Sequence, residues 1–97
     1  VTVDCIGEKR GQPASVTHNI FPPDIEWVNA KIRGATCVSY GTSTPASIYA
    51  EFIAEGRIAE PGLVCPEQLP RGVRDAFIAE CGRRGLPITR TETFTVA

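Results

Sequence analysis

The residues of this 97-residue sequence whose types could do chemistry are few. His18 is the single histidine, and Cys5, Cys37, Cys65 and Cys81 are the thiols. Nucleophilic catalysis needs a base beside the nucleophile, and His18 sits in a strand-like run with Val16 and Ile20, where a hydrogen-bonded structural imidazole is the expected role. No spacing pairs it with Cys37 or Cys65, so no catalytic residue is expected. The cysteines stand 32, 28 and 16 residues apart without a C-x-x-C, which speaks against a metal site. Free, mostly buried thiols are expected, with two disulfides as the alternative.

Binding chemistry has two candidate places. Tyr40-Gly41-Thr42-Ser43-Thr44-Pro45 puts hydroxyls and backbone N–H groups at an expected helix start, where the dipole favours an anion such as a carboxylate. Thr42, Ser43 and Thr44 are therefore candidate substrate contacts, against the plainer reading of a helix cap. Arg71 and Arg74, three apart on a second expected helix, could meet a carboxylate or simply form a solvated face. Neither G-x-G-x-x-G nor G-x-x-x-x-G-K-[ST] occurs, so the chain encodes no nucleotide site by those routes and no cofactor site of its own.

The elements that must position these residues alternate in character. Residues 1–6 and 14–21 read as two strands of a hairpin whose loop is longer than two residues and bends around Gly7 and Gly11. After Pro22-Pro23, Asp24 can cap a short helix over residues 25–32, stopped by Gly34. The stretch 43–56 holds the main helix, with a hydroxyl at the N-cap, Pro45 at the first helical position and Gly56 just past the end; a start near Cys37 with Pro45 bending the helix is the alternative. Ala46, Ile48, Ala50, Phe52 and Ile53 form its apolar stripe. Gly62-Leu63-Val64-Cys65 reads as a short strand stopped by Pro66, and Pro70–Arg84 as a helix turning Val73, Phe77, Ile78 and Cys81 inward, closed by Gly85. Residues 88–96 alternate, with Ile88, Arg90, Glu92, Phe94 and Val96 on one face and threonines on the other. The expected fold class is α+β in two layers: a small, mixed, largely antiparallel sheet with about two main helices packed on one face.

This length supports one core of ~100 residues and no second domain. Ten basic against eleven acidic residues give a net charge of −1, so neither nucleic acid nor a membrane surface is an expected partner. No apolar run approaches the ~20 residues of a membrane span, and no signal pattern opens the chain, which reads as soluble and cytoplasmic. Methionine is absent and Val1 begins a strand pattern at once, as in a chain cut at a domain boundary. A sheet this small presents an apolar face or an unpaired edge, both of which favour self-association.

Several separated motifs occur in order: Gly7-Glu8-Lys9 with Gly11, Thr42-Ser43-Thr44-Pro45-Ala46, Gly56-Arg57-Ile58, Gly62-Leu63-Val64 with Pro66-Glu67, and Arg84-Gly85-Leu86. In this the chain resembles the C-terminal domain of the saccharopine dehydrogenase family, including its carboxynorspermidine-dehydrogenase-like members. The resemblance covers about residues 4 to 92 and is most specific from Pro45 through Glu67, with its G-x-I-x-x-x-G-x-V-x-P-E run. It implies an NAD(P)-dependent oxidoreductase acting on a CH–NH bond of an amino-acid-like substrate. The cofactor and main catalytic machinery would lie in an N-terminal Rossmann domain, which this chain lacks. It further implies a C-terminal domain that covers the substrate cleft and builds a homodimer. Where many members carry Ala-Met and then Thr-Gly, this chain has Val38, Thr42 and Ser43, so no particular substrate carries over. A stand-alone binding or dimerisation module with the same fold is the competing reading, and a small thiol enzyme a third.

Overall fold

The structure, a computed structural model, describes residues 1–95. Its elements in chain order are β1 (Thr2–Lys9), β2 (Gln12–Ile20), α1 (Ile25–Lys31), α2 (Cys37–Ala54), α3 (Arg71–Arg83) and β3 (Ile88–Phe94). The class is α+β: a three-stranded antiparallel sheet and three α-helices. The chain divides into two compact units, the sheet (Val1–Phe21 with the segment from Ile88) and the helices (Pro22–Pro87).

In the sheet unit the strand order is β1-β2-β3, so β2 is central and both other strands are edges. The hairpin is tighter than its sequence suggests, because β1 and β2 are joined by Arg10-Gly11 alone. Both residues have positive φ, 55° and 76°, as a type I′ turn requires. An arginine in the left-handed region is an uncommon turn signal, which is why the polar residues flanking it read as loop. Pro13 is tolerated in β2 because the pairing with β3 ends at Ala14–Phe94, leaving Pro13 with β1 as its one neighbour.

The registers Cys5–Val16–Glu92 and Val3–His18–Arg90 assign the two faces of the sheet. One face carries Val3, Cys5, Val16, Phe94 and Ile88 with His18, Arg90 and Glu92 among them. The other is largely polar, with Ile6 exposed on it, and is cross-linked: Thr2 Oγ1 donates to Asn19 Oδ1 (2.6 Å) and Thr17 Oγ1 to Asp4 Oδ1 (2.7 Å). The expected alternation of β3 holds through Phe94, with Thr89, Thr91 and Thr93 on the polar face. The expected continuation to Val96 lies outside the described residues.

The helical unit begins as its caps dictate. Asp24 accepts from Trp27 N (2.8 Å) and starts α1. The α2 cap is Thr36, not Ser43 or Thr44: Thr36 Oγ1 accepts from Ser39 N (3.0 Å) while Thr36 N donates to Ser39 Oγ (2.8 Å), a reciprocal capping box. The helix thus starts at Cys37 and Pro45 lies inside it, the alternative start rather than the one at Thr42–Pro45. Pro45 has no N–H for the Gly41 carbonyl, and the glycine four residues back eases the fit of its ring.

Both long helices end in glycine-centred caps. Gly56 (φ 78°) and Gly85 (φ 89°) follow α2 and α3. Arg57 N donates to Phe52 O (2.9 Å) and Gly56 N to Ile53 O (3.1 Å); Leu86 N donates to Cys81 O (2.9 Å) and Gly85 N to Gly82 O (3.2 Å). The second cap folds Leu86 back beside Cys81, and these two join Ile48 and Phe52 in the buried cluster, flanked by Tyr40, Val73 and Phe77. Ile53 and Ile78, expected inside, are exposed (60% and 46%), because the stripes facing each other are narrower than their apolar content. Burial is confined to Cys81 among the thiols; all four are free, and Cys5 and Cys65 are exposed. The expected strand at Gly62–Cys65 does not form: Gly62 has φ 83°, Leu63 is fully exposed, and Pro61 and Pro66 remove donors on either side. Cys65 instead leads into a single 3-10 turn, Pro66–Gln68.

Candidate functional site

The sequence-designated contacts do not assemble. Thr42, Ser43 and Thr44 lie in the interior of α2, where backbone N–H groups belong to the helix and are not free to meet an anion. Ser43 Oγ donates to Ser39 O of the preceding turn, and Ser47 Oγ donates to Ser43 O (2.9 Å). Thr42 is exposed and Thr44 half-buried. Arg71 and Arg74 occupy the exposed first turn of α3, and Arg71 Nε stands 3.8 Å from Asp75 in an open i,i+4 pair. No hydrogen bond or ion pair among the described residues joins these arginines to the hydroxyls of α2.

A different part of the helical unit forms a hollow of about 270 Å³, lined among others by Tyr49, Ile53, Ile58, Glu60, Val64 and Leu69. Two of these come from α2 and the rest from the irregular segment after it. The segment holds its course through Arg57 and Ile58, which both donate to Phe52 O (2.9 and 3.3 Å), and through the turn at Gly62. Leu69, another residue lining the hollow, is buried. Ile53, surplus to the core, becomes one of its walls.

Tyr49 supplies the polar edge of this otherwise apolar hollow. Its ring stacks on Phe77 at 4.2 Å between centroids and 9° between planes. Burial raises the phenol above its usual range, and the charges that Cys81 and Glu67 carry when ionised add to the effect, so at neutral pH it is a hydroxyl that can donate. Glu60 brings one carboxylate, whose Oε2 accepts from Ala59 N (3.1 Å). Apolar walls, one phenol and one carboxylate suit a small ligand with an apolar stem and a cationic or donor group. No histidine, cysteine, serine or threonine among the described residues lines it.

The charged cluster at the end of α3 has a structural role. Glu80 accepts from Arg83 Nε and Arg84 Nε (both 2.9 Å), and Arg84 Nη2 reaches Glu51 Oε2 of α2 (2.6 Å). Tyr40 OH donates to the Arg84 carbonyl (2.5 Å), tying α2 to the same corner. The hydrogen bonds from Arg83 and then Arg84 hold the Glu80 carboxyl down at about 2.

On the apolar face of the sheet a shallower hollow of about 390 Å³ lies over Cys5, Val16, Arg90, Glu92 and Phe94. Lys9 Nζ sits 4.8 Å from the Phe94 ring centroid, and Arg90 is paired with Glu92 on its own strand. His18 is half-buried between Val3 and Arg90 in register, with no Cys37 or Cys65 on its strand or its neighbours. Among the described residues no group of His, Cys, Asp and Glu could hold a metal, and no helix is long and apolar enough to cross a membrane.

Tyr49 and Glu60 were not singled out by residue type. Their signal was indirect: Glu60 falls within the G-x-I-x-x-x-G-x-V-x-P-E run, and Tyr49 adjoins the buried Ile48. Comparison of the chain with protein-family models, with curated proteins and with solved structures finds no match.

Proposed function

We propose that this chain is the C-terminal, substrate-cleft and self-pairing domain of a saccharopine-dehydrogenase-like oxidoreductase. It has no catalytic activity alone. The observation that carries this reading is the hollow at Tyr49: apart from Leu69, the residues named above as lining it fall within Pro45–Glu67, the stretch in which the resemblance is most specific. Four of the five glycines of the resemblance motifs support it, since Gly11, Gly56, Gly62 and Gly85 have positive φ, where a side chain would be strained, while Gly7 lies within β1. In this reading an amino-acid-like substrate places its aliphatic stem against Ile53, Ile58 and Val64, with its ammonium toward Glu60 and a carbonyl or carboxylate oxygen accepting from Tyr49. The NAD(P) and the proton-transferring groups belong to an N-terminal Rossmann domain of the parent protein, which also supplies the other wall of the cleft. The parent works as a cytoplasmic homodimer.

The test is made on the parent protein. Its reading frame upstream of Val1 should encode a strand–turn–helix with G-x-G-x-x-G, and NAD(P)-linked turnover of amino-acid dicarboxylates should disappear when residues 1–97 are deleted. A frame without that motif, or turnover indifferent to the deletion, refutes the oxidoreductase reading. A stand-alone binding module is favoured by one observation, that every residue lining the hollow belongs to the helical unit. That reading requires the isolated chain to bind an amino-acid dicarboxylate by itself, which calorimetry decides.

A further inference from the structure

The strand β3 is an exposed edge whose sequence is complementary to itself when reversed. Among the described residues no strand lies on its outer side, and every residue from Thr89 to Phe94 is exposed. A seven-residue edge with free N–H and C=O groups is a template for another strand, and soluble proteins cover or blunt such edges. β3 carries no proline, and its two charges, Arg90 and Glu92, are of opposite sign, so they repel a like strand only in the wrong register.

Ile88-Thr89-Arg90-Thr91-Glu92-Thr93-Phe94 runs apolar, Thr, cation, Thr, anion, Thr, apolar, and reversed about Thr91 it has the same order with cation and anion exchanged. We propose that a second copy of this chain pairs antiparallel along β3 about a two-fold axis at Thr91, joining two three-stranded sheets into one of six strands. In that register Arg90 faces Glu92 of the second copy and Glu92 faces its Arg90, while Ile88 meets Phe94 at both ends. On the opposite face threonine meets threonine at each position. Such opposite-charge, apolar and Thr–Thr pairs are the combinations that stabilise antiparallel ladders. In the single chain Arg90 and Glu92 already lie side by side on one face, so the dimer closes a ring of four alternating charges without moving either to the other side of the sheet.

The charges also fix the register. Side-chain alternation permits slips of two residues only. Moving the axis to position 90 puts Arg90 against Arg90, and moving it to position 92 puts Glu92 against Glu92. The other edge has no equivalent register. In β1 the acids Asp4 and Glu8 share one face and Lys9 lies on the other, so no self-pairing of β1 opposes unlike charges. Pairing β1 of one copy with β3 of the next would leave edges open and build a filament instead of a closed dimer.

A strand pair of this length buries less than the ~1,200–2,000 Å² of a standard interface, so the dimer should form reversibly with concentration. This inference deepens the self-pairing part of the proposed function and says which surface carries it. The test is sedimentation equilibrium of the 97-residue chain from micromolar to millimolar concentration, with Arg90→Glu and Glu92→Arg, each checked for folding by circular dichroism. Each single reversal sets like charges opposite one another twice per dimer and should weaken dimerisation roughly tenfold to a hundredfold. Mixed together, the two variants should dimerise with each other about as well as the parent chain, because the doubly acidic edge of one copy then meets the doubly basic edge of the other. Should either variant fail to fold, Thr91→Cys provides the alternative: mild oxidation must link position 91 to itself in peptide mapping. Dimers that ignore the reversals, or a Thr91→Cys variant that does not link through that position, overturn the edge and leave a dimer built elsewhere. A parent chain that stays monomeric throughout overturns the self-pairing altogether while leaving the oxidoreductase reading to its own test.

Discussion

Replacing Gly85 by alanine tests how the α3 cap is joined to α1. Gly85 has φ 89°, and a methyl group there would stand 2.8 Å from Cη2, 3.2 Å from Cζ2 and 3.4 Å from Cζ3 of Trp27. Carbon atoms prefer about 3.5–4.0 Å, so the indole must retreat by roughly 0.5–1 Å. Its retreat is resisted. The ring meets Tyr40 edge-on at 5.5 Å, Lys31 Nζ lies 4.9 Å over its face, and Tyr40 is itself held by its bond to the Arg84 carbonyl. The backbone cost of a β-carbon at positive φ is about 1 kcal/mol, and overpacking a contact of this kind costs about 1–3 kcal/mol more. The expected loss for Gly85→Ala is about 2–4 kcal/mol, or roughly 10–25 °C in melting temperature for a domain of this size. Gly56→Ala and Gly62→Ala are the controls, since their φ values (78° and 83°) are similar and nothing lies within 4 Å of the added methyl. They should lose about 1 kcal/mol each. Urea denaturation followed by circular dichroism gives the three values, and the emission of Trp27, the single tryptophan, reports the displaced ring. If Gly85→Ala costs no more than its controls and leaves the emission unchanged, the close approach of Gly85 to Trp27 is wrong.

Three further outcomes are expected. Arg10→Gly should stabilise the hairpin by about 0.5–1 kcal/mol in chemical denaturation, because it removes a side chain from a left-handed position (φ 55°) that glycine adopts freely; a loss of stability would refute the two-residue turn. The Glu80 carboxyl titrates near 2 in the folded chain against 4.5 as its ordinary value, so the folded state binds fewer protons across that interval. Its contribution is complete above pH 4.5 and is lost as pH falls toward 2. Melting temperatures of Glu80→Gln and the parent chain should therefore converge as acid is added through that window, and a constant gap between them would speak against the Arg83–Glu80–Arg84 network. Iodoacetamide followed by mass spectrometry should modify exposed Cys5 and Cys65 first and Cys81 only on unfolding, since Cys81 is 2% exposed and burial raises its thiol pKa. Equal rates at all four would contradict the helical core.

Local signals in the sequence were sufficient at several helix ends and along β3, but not at the hairpin turn, where Arg10 occupies a left-handed position that its residue type does not advertise. Asp24 before α1, Gly56 and Gly85 after the long helices, and the alternation of β3 were each readable because capping and strand pleating depend on neighbours along the chain. The α+β class followed from the same signals. What needed tertiary structure was any choice between two locally acceptable answers. Thr36 and Ser43 are both competent caps; the reciprocal bonds of Thr36 with Ser39 begin α2 earlier, and that one decision converts Thr42, Ser43 and Thr44 from a helix start into helix interior. Gly62–Cys65 has a strand's composition, yet Gly62 turns the chain at φ 83° and Pro61 and Pro66 flank it, so among the described residues it joins no sheet. Ile53 and Ile78 are apolar enough for the core but fall beside the stripes that meet, since burial depends on which face a neighbour covers. The hollow at Tyr49 is assembled from residues up to twenty positions apart, so its polar edge has no local signature. The complementarity of β3 is the reverse case: the order of residues 88–94 is plain in the sequence, but only the sheet shows that this strand is an open edge with Arg90 and Glu92 on one face.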